Sequence, residues 1–116
     1  MVARMPSRDR LLIAVKLIHT AFWALFAGCI LALPVLGMMR RFDWALAGTA
    51  LVLIECAILA ANGGRCPLTN VAARYTDART DNFDIYLPRW IARHNKAIFG
   101  TLFAAGEAFV LWRWLQ

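Results

Sequence analysis

Charged side chains are scarce in this chain. They make up 17% of its 116 residues, while apolar residues reach 61%, against about 25% and roughly 45–50% in soluble globular domains. So few polar residues cannot clothe a water-soluble surface. Acidic residues are scarcer still: seven Asp and Glu face thirteen Lys and Arg, a formal charge of +6. The cysteines, Cys29, Cys56 and Cys66, are odd in number, which excludes a closed disulfide framework. Two histidines leave little for a haem, which would need both at one depth. His19 lies in an apolar run and His94 at the mouth of another, so no cofactor is expected. Nothing in the sequence completes a catalytic constellation.

Long apolar runs are present instead, the mark of a chain whose solvent is a bilayer. The first, Leu11 to Met39, would make a helix of about 43 Å, long for one span and too short for two. Pro34 is expected to kink it near the far end. The second runs from Trp44 to Ala61 and is stopped by Asn62-Gly63-Gly64, since glycine accepts the left-handed conformation that ends helices. The third covers residues 90–115, with Pro88 at its start. The expected fold is all-α: one integral membrane domain over residues 1–116, with spans near 11–39, 44–61 and 90–115 and a connection over 62–89. A signal peptide is the wrong reading of the first run, which is too long and leads to no polar domain. A lipoprotein box ending at Cys29 would be followed by more apolar sequence, where a polar tether is expected.

Orientation follows from the basic residues. Arg4, Arg8, Arg10 and Lys16 precede or open the first span, and Arg65, Arg74, Arg79, Arg89, Arg93 and Lys96 fall between the second and third. These ten share one side; Arg40, Arg41 and Arg113 lie on the other. The positive-inside rule predicts a cytoplasmic N-terminus and 62–96 connection, with the C-terminus outside. Basic residues at the ends of apolar segments meet lipid head groups, so membrane lipids are the expected partners and nucleic acid is not.

The connection opens Asn62-Gly-Gly-Arg-Cys-Pro-Leu-Thr69. Pro67 suits the first position of a helix, with Cys66 as its N-cap. Leu68, Val71, Ala72 and Tyr75 follow helical spacing. Residues 67–79 are therefore expected to form a short amphipathic helix, lying on the membrane or on the protein's own spans. Phe83, Tyr86 and Trp90 are of the kind that anchors at an interface.

Cys66-Pro67-Leu68-Thr69 stands after a glycine that ends an apolar helix and before a basic amphipathic stretch and Tyr86-Leu87. In this it resembles a family of small bacterial integral membrane proteins known only as a domain of unknown function. His19 matches a histidine that the family places early in the first span. After Thr69 the chain departs from the pattern: Asn70 to Arg74 stand where the family has glutamate and then Leu-Arg. The resemblance implies a multi-pass protein of the bacterial inner membrane and supplies no activity.

Ionisable residues inside spans are costly and so are candidates for function. They are His19, Glu55 and Glu107. Equal distances from the span ends suggest a His19–Glu55 hydrogen bond, as a plain clasp or as part of a proton path. That pairing requires Pro34 and Gly37 to end the first helix early; otherwise His19 falls near Cys66. Cys66 is the candidate reactive thiol, beside Arg65 at a helix start, though a structural N-cap at a tight turn is the favoured explanation. Asp77, Asp81 and Asp84 would share a helical face and could hold a metal and a lipid diphosphate, or pair with Arg74 and Arg79. Small residues flank Glu107, and Ala24, Gly28 and Ala32 form a ridge that suits tight packing or a homo-oligomer. Three functions remain open: a non-catalytic accessory or scaffold, a small interfacial enzyme or redox component acting on a lipid-like substrate, and a proton or ion pathway element in an oligomer.

Overall fold

The computed structural model describes residues 8–116; Arg4, counted above, lies outside them. Four helices follow in order: α1 (Arg8–Met38), α2 (Phe42–Ala61), α3 (Pro67–Ala72) and α4 (Arg89–Leu115). The fold is all-α, with no strand among the described residues. Three of the helices are long and apolar enough to cross a membrane: α1 from Asp9, α2 and α4. Their limits fall within a few residues of those read from the apolar runs.

α1 continues unbroken through Pro34 to Met38, so the early ending that would bring His19 beside Glu55 does not occur. The helix stops three residues before Arg41. Arg40 takes φ +55°, its N–H donates to Gly37 O at 3.2 Å, and the Arg41 N–H donates to Leu36 O at 2.9 Å. This is the paired-bond ending that satisfies orphan carbonyls. A proline removes only its own donor, and the turns on either side of Pro34 hold the helix together. α2 ends in the same way, on Gly63 at φ +69° and with Gly64 N–H on Leu59 O at 2.7 Å.

α3 is shorter than the helix expected over 67–79. Pro67 and Cys66 take the predicted first-residue and N-cap places. After Ala72 the bonds tighten to Arg74 N–H on Val71 O and Tyr75 N–H on Ala72 O. The Arg79 guanidinium then folds back onto the carbonyls of Ala73, Thr76 and Ala78, and Thr76 Oγ1 accepts the Ala78 N–H. These side-chain bonds offer the backbone an alternative to helix. The apolar stripe keeps its sense: Ala72 is fully buried, Leu68, Val71 and Tyr75 are half-buried, and Asp77 is exposed. α4 begins at Arg89, one residue later than expected, with Pro88 accepting the Ala92 N–H at 3.0 Å.

Within the chain two compact units can be distinguished. The first joins the opening of α1, as far as Trp23, to residues 58–94. Val15, Ala72, Asp84 and Ile85 are buried in it. The second joins the rest of α1 to residues 42–57 of α2 and 95–116. Its core lies along Ala27, Ile30 and Leu33 of α1, with Ala45 and Val52 of α2. Two glycines permit its closest approaches: a Cβ on Gly106 would stand 3.1 Å from Leu33 Cβ, and one on Gly37 3.1 Å from the Phe109 ring.

Candidate functional site

Lys16, His19 and Thr20 share one face of α1, spaced i, i+3 and i+4. The turn and bend residues Asp84-Ile85-Tyr86 lie beside them. His19 Nδ1 stands 3.1 Å from the Asp84 backbone oxygen and 3.5 Å from Asp84 Oδ2. Thr20 Oγ1 donates to Lys16 O at 2.7 Å and accepts the Tyr86 N–H at 3.0 Å. The Lys16 ammonium sits 4.4 Å over the Tyr86 ring. From α3, the Thr69 hydroxyl donates to Asp84 Oδ2.

Asp84 is therefore the hub. It is 7% exposed, and a carboxylate in such a place must be hydrogen-bonded to be tolerated. Thr69 supplies a donor, and the His19 ring, bonded to the backbone oxygen of the same residue, stands 3.5 Å from the carboxylate. Three separate stretches of sequence, the first span, the Cys-Pro-Leu-Thr turn and the segment before Tyr86-Leu87, meet at this one side chain.

The remaining polar groups of this unit pair locally. Arg93 donates to Asp81 Oδ2 at 3.0 Å, Asn82 Nδ2 to Leu87 O at 2.7 Å, and Asn70 Nδ2 to Asn62 Oδ1 at 3.1 Å. Asp77, Asp81 and Asp84 do not form the carboxylate face expected of them. Asp77 lies in irregular chain and Asp81 and Asp84 in turns, where helical spacing has no meaning, and each meets a different environment. Among the described residues no three His, Cys, Asp or Glu side chains converge as metal ligands.

His19 thus faces Asp84 in place of the expected Glu55. Glu55 is half-buried on α2 and makes no hydrogen bond or ion pair among the described residues. Cys66 is half-buried at the N-cap of α3, and its side chain does not cap that helix. His94 is exposed on α4, its Nδ1 at 3.0 Å from Trp90 O. In the second unit Glu107 accepts a hydrogen bond from the Thr49 hydroxyl. Thr20, Thr49 and Thr69 went unnoticed as partners in the sequence. Only Thr20, next to His19 on the first apolar run, carried a local signal.

No family profile matches this chain, and neither a curated protein nor a solved structure matches it.

Proposed function

We propose that this chain is a three-span protein of the bacterial inner membrane, serving as a non-catalytic accessory or scaffold. Its N-terminus and its 62–96 connection face the cytoplasm, and Gln116 lies outside. Three apolar helices support membrane residence. The bias of ten basic residues to three supports the orientation. The resemblance of the Cys66–Thr69 motif supports the bacterial setting.

One observation carries the scaffold reading. The 62–88 connection is tied into a fixed shape by Asp84, Thr69, His19 and Thr20, and the buried carboxylate of Asp84 is spent on that task. A loop held in this way presents a constant surface, which suits recognition by a membrane partner. The exposed residues on that surface, Arg65, Asp77 and Arg89, are of the polar kind found at an interface rim.

Two measurements test the reading. A reporter fused after Gln116 should register outside, and one inserted at Thr80 should register in the cytoplasm; both on one side would overturn the three-span count. A photo-crosslinker at Arg65 or Arg89 in native membranes should give one discrete protein adduct. That adduct should be lost when Asp84→Leu releases the connection. Adducts to lipid alone would refute the scaffold role.

A further inference from the structure

We propose that the opening of α4 holds the headgroup of an anionic phospholipid on Arg89, Trp90 and Arg93. The inference goes beyond the scaffold reading and does not depend on it. Arg89 and Arg93 stand one turn apart on one face of α4, with Trp90 next to Arg89. All three are exposed, Trp90 to 65%. Asp81 fixes Arg93, its Oδ2 taking Nε and Nη2, both at 3.0 Å. A guanidinium has five donors, and this pair engages the hydrogens of only two nitrogens. Arg89 makes no hydrogen bond or ion pair among the described residues. The first turn of α4 holds no acidic residue, so the positive end of the helix adds to these cations and is not offset.

The first unit does not supply the missing negative charge. Over residues 9–23 and 58–94 seven Lys and Arg face four Asp, seven less four leaving three cations in surplus. One of the four, Asp84, is buried against Thr69. The balancing anion must come from outside, and the aromatic residues select its source. The Trp90 ring packs on His94, centroids 5.5 Å apart, and is otherwise largely open. Tyr86, three residues before Arg89, is 45% exposed and carries the Lys16 ammonium 4.4 Å over its ring. Exposed Trp and Tyr among cations belong at a membrane–water boundary, where the anion at hand is a lipid phosphate. A soluble phosphate would gain nothing from the indole. Arginine binds phosphate through paired N–H groups. Phosphatidylcholine carries a phosphate too, but its choline would lie among the same cations, so a headgroup of net negative charge is preferred.

The test uses the full chain in phosphatidylcholine nanodiscs. Trp23→Phe, Trp44→Phe, Trp112→Phe and Trp114→Phe leave Trp90 as the one tryptophan. Phosphatidylglycerol with a doxyl quencher near its carbonyl is titrated in, then phosphatidylcholine labelled alike. Trp90 should be half-quenched at a mole fraction at least about fivefold lower for phosphatidylglycerol. Salt at about 0.5 M should shrink that preference. Arg89→Gln should cut it about fivefold, the contribution of one cation near a headgroup. Arg65→Gln, which removes an exposed cation ahead of α3, should leave it unchanged. The wild-type chain with a photoactivatable phosphatidylglycerol should give an adduct within residues 86–94, which checks the site without the tryptophan changes. Equal quenching by the two lipids, a loss from Arg65→Gln as large as that from Arg89→Gln, or adducts only outside residues 86–94 would overturn the proposal. So would reversal of the quenching by inorganic phosphate at matched ionic strength, which would mark a site for a soluble anion.

Discussion

Replacing Asp84 with leucine should free the 62–88 connection without disturbing the second unit. The substitution removes the acceptor of the Thr69 hydroxyl and the charge facing His19 Nδ1. The backbone bond between His19 and residue 84 survives it. Hydrogen bonds to charged groups are worth about 1.5–3 kcal/mol each. Leucine recovers part of this, because it no longer buries a carboxylate and it adds apolar surface. A net loss of about 2 kcal/mol raises local opening roughly 30-fold. Cys66 begins the helix that carries Thr69, so its alkylation rate reports opening. In a Cys29→Ala, Cys56→Ala background, Asp84→Leu should speed that alkylation by about the same factor. Asp81→Leu is the control. It removes an ion pair to Arg93 whose two side chains are 35% and 63% exposed, and such pairs contribute at most about 1 kcal/mol. Equal rates for wild type and Asp84→Leu, or a larger effect from Asp81→Leu, would refute the view that Asp84 holds the connection in place.

Three further outcomes follow from the packing. Gly106→Val should destabilise the second unit by about 1–3 kcal/mol through its clash with Leu33, while Gly28→Ala, with nothing within 4 Å, should leave denaturation in mixed micelles unchanged. Gly63→Ala should cost about 1 kcal/mol at its positive φ, and Arg40→Gly, relieving the same strain, should recover less than that because the Phe42 contact goes too. Thr49→Val strips Glu107 of its donor and should lower the melting temperature, whereas Glu107→Gln, which keeps an acceptor for Thr49, should not.

The parts of this fold legible in the sequence are those set by local chemistry. Apolar runs mark the three long helices, Asn62-Gly-Gly marks the end of α2, and Cys66-Pro67 marks the start of α3. The length of α3 was not legible, because the bonds that end it come from Arg79, seven residues beyond its last residue. Nor was the partner of His19. Depth counting offered Glu55, an ionisable group in another span, and assumed that Pro34 would end α1. The helix ran on, and Asp84 supplied the bond from 65 residues away. Hydropathy carries no record of such a pairing, since an aspartate in a polar connection has the same local appearance whether it faces water or a histidine.

The far end of the second unit carries a consequence for charge. Arg113 of α4 donates from Nε to Gly37 O and from Nη2 to Met38 O, at 3.2 and 3.4 Å. Arg40, just past α1, donates to Arg113 O at 3.3 Å. Each arginine thus binds backbone carbonyls at the other helix's C-terminal end. Two helix C-termini side by side bring together two macrodipole ends of about −0.5 charge each, which repel. The crossed guanidiniums neutralise both. Arg41, the third basic residue there, bonds Asp43 Oδ1 at 3.4 Å and stands over Trp44. Each of the three is thus held against a negative charge of the fold's own making, and of their three positive charges only about one is left over at this end.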